Sequence, residues 1–215
     1  MRQRLAPASS RTRPLRSACL TLLLAVSLAG CGSGAASSST PATTASPSGS
    51  SGFEGAALPP GVLAPRFSLR DQSGARVSLA AYRGRVVIVA VLYAACGSPC
   101  AVIAQQIRGA LDELGRPVPV LVISADPAGD TPADVERFLR HVSLGGRVRW
   151  LRGSPAQLRP VWHALRVLPA SAGRAAFART ASVFLVDRDG RERVIYQLEQ
   201  LTPEALSHDL RKLLG

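Results

Sequence analysis

Two cysteines four residues apart, in Tyr93-Ala94-Ala95-Cys96-Gly97-Ser98-Pro99-Cys100, hold the most concentrated chemistry of this 215-residue sequence. Two thiols at that spacing can close a disulfide or share one soft metal ion. The flanking residues say where the sulfurs sit. Val86 to Tyr93 is an unbroken apolar run rich in β-branched residues, which predicts a buried central strand. Ser98 can cap and Pro99 can begin a helix that runs to Leu114 and stops at Gly115. Cys96 then lies just before a helix N-terminus and Cys100 in its first turn. Unpaired backbone N–H groups and the helix dipole favour thiolate there, so the pair reads as redox-active or metal-binding. The competing reading is a fixed disulfide stapling an exported domain, although so short a loop restrains little of the unfolded chain.

The elements needed to position this pair follow along the chain. Phe67 to Arg70 and Arg76 to Ser78 flank Asp71-Gln72-Ser73-Gly74 and predict a hairpin. Val118 to Ala125 is a second buried strand and Val148 to Arg152 a third. Thr131-Pro132-Ala133-Asp134 launches a helix to about Val142, and Ser154-Pro155-Ala156-Gln157 another to about Arg166, with Pro160 expected to kink it. Ala181 to Asp187 and Arg193 to Gln197 flank the turn signal Asp187-Arg188-Asp189-Gly190, and Thr202-Pro203-Glu204 caps a terminal helix. Alternating strands and helices closed by a hairpin define an α/β domain with a mixed central sheet and flanking helices, in the order of a thioredoxin-like fold with an inserted βα unit.

The count of four cysteines and the net charge of +12 change once the N-terminus is read. Residues 1 to 30 combine Arg2, Arg4, Arg11, Arg13 and Arg16 with the apolar run Ala18 to Leu28, the pattern of an export signal too short to span a bilayer. Leu28-Ala29-Gly30-Cys31 resembles the bacterial lipobox, which implies that Cys31 is lipidated and becomes the first mature residue. Removing that segment takes away Cys19, the sole Met1 and five arginines with no acid, so +12 falls to +7. The remaining arginines are spread out without interleaved aromatics, which argues against nucleic acid. Residues 31 to 60, Cys31 followed by a stretch nearly all Ser, Thr, Ala, Gly and Pro with Glu54 its only charge and Phe53 its only aromatic, predict a disordered tether, with a span of roughly 30 Å for about 29 flexible residues. Residues 61 to 215 form the expected globular head.

Over those residues the chain resembles the Sco/SenC proteins, membrane-anchored thioredoxin-fold factors that deliver copper to cytochrome c oxidase. The resemblance rests on the Cys-x-x-x-Cys after a central strand and on Ser124-Ala125-Asp126-Pro127-Ala128-Gly129-Asp130-Thr131-Pro132. It extends to Gly153-Ser154-Pro155-Ala156-Gln157 and Phe184-Leu185-Val186-Asp187-Arg188-Asp189-Gly190. It implies that Cys96 and Cys100 bind copper and cycle between dithiol and disulfide. The sequence departs from the family pattern in three places. Gly97 and Ala101 stand where prolines usually follow the cysteines, Ala94 replaces a Thr, and the expected third copper ligand, a His, is Arg179. The histidines, His141, His163 and His208, all fall in predicted helices.

Two sulfurs without an imidazole suit Cu(I) better than Cu(II). A cation at Arg179, if near the thiols, would favour thiolate or an anionic bis-thiolate Cu(I) centre. The sequence therefore leads to a lipid-anchored protein on the extracytoplasmic face of the cell membrane. It would bind Cu(I) and/or reduce partner cysteines through Cys96 and Cys100 during assembly of the copper site of cytochrome c oxidase. Its partner would be the oxidase subunit carrying that site, another exported cuproprotein or a dithiol protein. The alternatives are a thiol-disulfide oxidoreductase with no copper role, and a degenerate binding module with a fixed disulfide.

Overall fold

Strand β4 (Val87–Leu92) is buried at every position and organises the molecule, described over residues 52–215 by a computed structural model. The expected signal segment, Cys31 and the tether up to residue 51 lie outside the described residues. Parallel to β4 runs β5 (Val120–Ser124), and parallel to that β6 (Val148–Leu151). On its other side β4 pairs antiparallel with β7 (Ser182–Val186), which turns back into β8 (Glu192–Gln197). The two-residue strand β1 (Ala56–Ala57) closes that edge, giving the order β1-β8-β7-β4-β5-β6. Strands β2 (Ser68–Arg70) and β3 (Arg76–Ser78) form the separate expected hairpin, joined to the end of β6 through Arg70 and Arg152. This is the mixed thioredoxin-like α/β architecture that the sequence pattern predicts.

Helix α1 (Ser98–Leu114) crosses from β4 to β5, and α2 (Pro132–His141) from β5 to β6. Both crossovers step the same way along the sheet, so the right-handed rule puts them on one face. Helix α5 (Pro203–Leu214) packs beside α1 so closely that a Cβ on Gly109 would lie 2.9 Å from Pro203. Helix α3 (Pro155–Ala164) follows β6, begun by a capping box between Ser154 and Gln157. It runs unbroken through Pro160. The ring removes only the bond to Ala156, an exposed residue near the helix start whose carbonyl water can satisfy.

Two differences from the sequence reading concern chain that looked featureless. Residues 54 to 58, expected in the tether, belong to the folded head. Ala56 and Ala57 pair with Ile195 and Val194, and Leu58 N–H donates to Arg193 O. Backbone pairing at a sheet edge needs no apolar side chain, so composition does not announce it. This N-terminal segment is fastened by Asp209, which is fully buried and accepts from the N–H groups of Glu54 and Gly55 and from the Tyr196 hydroxyl. Burial, then the Asp209 carboxylate, raises the Tyr196 pKa, so the phenol remains a donor. Tyr196→Phe should therefore cost about 1–1.5 kcal/mol in urea denaturation. An unchanged midpoint would mean that this bond adds nothing to the N-terminal clasp. The second difference is α4 (Arg174–Thr180), a short helix where the sequence offered no cap or periodicity.

Candidate redox site at the head of the first helix

At the end of β4 the chain makes a 3-10 turn, Ala94–Cys96, fixed by Cys96 N–H to Tyr93 O at 3.1 Å. Gly97 then adopts φ 81° and caps α1, one residue ahead of the expected Ser98. The backbone must reverse between the two cysteines, and that left-handed conformation is open to glycine. Cys100 falls in the first turn of α1, and Cys96 and Cys100 form a disulfide with Cα atoms 5.7 Å apart. Both residues are fully buried beneath exposed Ala95, Gly97 and Ser98. The loop must open before either sulfur can meet a partner.

The platform below the loop is built by Asp130, only 1% exposed. Its carboxylate accepts from Ala94 N–H at 2.7 Å, from the Ser124 hydroxyl at 2.5 Å and from Trp150 Nε1 at 3.1 Å. One side chain thus ties the cysteine loop to the C-terminal end of β5 and to β6. Burial raises the Asp130 pKa from its ordinary value, although the three donors oppose it. Asp130 falls within the Ser124–Pro132 motif, but its role is not legible there, because a lone acid before a helix gives no sign of a distant indole partner.

A cleft of about 350 Å³ opens beside the loop, between Ala94, Ala95, Gly97 and Ala101 on one side and Asp134, Arg137, Phe138 and His141 of α2 on the other. Inside it Arg137 pairs with Asp134 at 2.7 Å, which leaves little net charge on that wall. Opposite, α4 is anchored by buried Phe177, whose ring meets Tyr93 edge-on with centroids 5.0 Å apart. Arg174 at the start of α4 extends over Gly97, its Nη1 3.3 Å from where a Cβ there would lie. Arg179, the position singled out by sequence, is exposed in the last turn of α4. It lies two residues past Phe177, about 200° around the helix from the inward side. The basic residue that reaches the cysteine loop is therefore Arg174, which sequence reasoning missed because it did not foresee α4.

His141 lines the cleft but is exposed, His163 is exposed on α3, and His208 sits on α5 against Asp209. No group of three or more His, Cys, Asp or Glu side chains able to hold a metal occurs among the described residues. Two sulfurs at one helix start are thus the donor set this site itself presents, a set suited in its reduced form to Cu(I).

Fold and site together define a thioredoxin-like protein with a disulfide at the junction of its central strand and first helix. Residues 56–215 match the SCO1/SenC family model, and the chain belongs to that family. Among solved structures, ScoI of Bradyrhizobium japonicum with copper bound is 26% identical with a TM-score of 0.53, covering 71% of this chain and 99% of that one. Yeast Sco1 is 18% identical with a TM-score of 0.62, over 73% and 96% of the two chains. Apo Sco1 of Thermus thermophilus is 21% identical with a TM-score of 0.61, over 75% and 96%. No curated protein sequence matches the chain.

Proposed function

We propose that this chain is a Sco-class thiol-disulfide protein that exchanges electrons with partner cysteines through Cys96 and Cys100. The observation that carries this reading is the disulfide itself. It sits where backbone N–H groups of α1 can stabilise the thiolate released when the bond opens, in a loop that Asp130 holds in place. The export signal and Cys31 support a lipid-anchored head on the extracytoplasmic face of the membrane, reaching partners through its tether. No helix among the described residues is long and apolar enough to cross a membrane. The family resemblance supports a partner in assembly of the copper site of cytochrome c oxidase, or another exported cuproprotein or dithiol protein.

The test is exchange with a small dithiol and with a cysteine-containing partner peptide. Wild type should cycle, and Cys96→Ser and Cys100→Ser should each drop turnover to background. A native disulfide that resists excess dithiol would overturn the proposal in favour of a fixed staple in a binding module.

A second reading is Cu(I) handling, with copper as cargo on the two reduced sulfurs. It is favoured by the donor set and by the copper-bound relative at 26% identity. With Arg179 where an imidazole ligand would be expected, the reduced protein should compete with a Cu(I) chelator in the micromolar range or tighter and hold Cu(II) only weakly. Failure to compete would remove the copper role while leaving thiol exchange intact.

A further inference from the structure

The charge above the redox loop is one-sided. In the cleft wall Arg137 is matched by Asp134, and buried Asp130 is engaged by three donors beneath the loop. The Arg174 side chain has neither an ion pair nor a hydrogen bond with any described residue, yet its guanidinium lies over Gly97, between the two cysteines in sequence. Its position is set by packing: Phe177, one helical turn further on, is buried against Tyr93, whose carbonyl also fixes Cys96 N–H. A long side chain launched from that anchored helix covers a loop whose own exposed residues, Ala95, Gly97 and Ser98, are small and uncharged. Whatever approaches the disulfide from this side meets a positive charge that no described acidic side chain pairs with.

We infer that Arg174 is a specificity-determining residue of the redox pair, selecting thiol partners that carry a negative charge beside the attacking sulfur. The inference rests on the thiol-exchange reading and names the chemistry of the partner segment, a cysteine flanked by carboxylate. In the step concerned, an incoming thiolate bonds to one sulfur of the Cys96–Cys100 disulfide and the other leaves as thiolate. A second incoming thiolate then attacks the mixed disulfide, so the reagent departs as its own disulfide. The two protein sulfurs take up protons from water as thiols. Arg174 takes no part in bond making; it raises the local concentration of anionic reagents and lowers that of cationic ones. Loop opening is required for every reagent and cancels from a ratio of rates.

The experiment measures reduction of the disulfide in the purified full-length chain by mercaptoacetate, 2-mercaptoethanol and cysteamine, which carry negative, no and positive charge. Each rate is taken per thiolate and divided by that of the same reagent on the unfolded chain, which removes intrinsic nucleophilicity. For wild type the anionic-to-cationic ratio should exceed one and fall towards one as salt rises past the Debye regime. R174Q should lower that ratio about threefold and R174E roughly tenfold, as expected for charges several ångströms apart in a wet site. R179Q removes the same charge from the same helix and sets the baseline for net charge; it should leave the ratio nearly unchanged. Equal ratios in wild type and R174Q, or an equal drop in R179Q, would overturn the role of Arg174 without touching thiol exchange. A disulfide that none of the three thiols reduces would instead overturn the exchange reading.

Discussion

Asp130→Ala should destabilise the protein by about 3–4 kcal/mol and loosen the cysteine loop before it affects any other part of the fold. Asp130 is 1% exposed and satisfies Ala94 N–H, the Ser124 hydroxyl and Trp150 Nε1 together. Truncation leaves those donors without their shared acceptor in a dry interior and opens a small void, and the two costs add. Asn is the informative control. Its oxygen can still accept from Ala94, but its amide then faces Trp150 Nε1, donor against donor. Asp130→Asn should therefore lie in between, at about 1–2 kcal/mol, with the Ala94 amide still protected from hydrogen exchange. Denaturant midpoints measure the first effect and exchange rates at Ala94 the second. A loss below 1 kcal/mol in the alanine variant would show that the network is not what holds the loop.

The second large effect lies on the β7–β8 hairpin. Glu192 is 6% exposed, its Oε1 has no hydrogen-bond partner among the described residues, and it shares a small apolar pocket with Phe67, Leu79, Leu165 and Phe184. Burial pushes its pKa up from 4.5 to about 7, with Arg166 opposing only in part. Because the folded-state value lies above the unfolded one, between pH 4.5 and 7 the unfolded chain has released a proton that the folded chain still holds. Raising the pH across that window therefore favours unfolding. This group's contribution is fully present below pH 4.5 and is lost by the time pH has risen through 7, a change on the order of 3 kcal/mol.

Glu192→Gln should flatten that part of the stability–pH curve. Glu192→Leu, which suits the apolar lining, should make the protein about 2–3 kcal/mol more stable than wild type at pH 8. Thermal or urea unfolding at several pH values between 4 and 8 reads both. A slope that survives in the Gln variant would mean that another group carries it.

Sequence patterning worked where an element is defined by its own residues. β4, β5 and β7 are continuous apolar stretches buried on both faces, and their runs were visible within a residue or two of their ends. The helices α2, α3 and α5 were marked by Thr131, Ser154 and Thr202, each of which accepts a hydrogen bond from the N–H three residues on. The cysteine pair was legible for the same reason, since a strand, a turn and a helix start are all local.

Features that depend on a distant partner were not legible. β1 exists because the edge of β8 and the Asp209 carboxylate lie waiting for a backbone that has no side-chain signature. α4 is seven residues long and held by one ring against Tyr93, too short for periodicity to register. Arg179 stood out through the family pattern, whereas nothing local announced α4, and so nothing announced Arg174.

The sequence alone thus determined the thioredoxin-like α/β class and the place of the cysteine pair between a central strand and a helix start, because spacing, caps and apolar runs act over a few residues. Only the tertiary structure decided that the pair is a buried disulfide, that Asp130 anchors its loop, and that Arg174 faces it while Arg179 turns away. Those outcomes come from burial and from the helical rotation between neighbouring side chains, which join residues far apart in the chain.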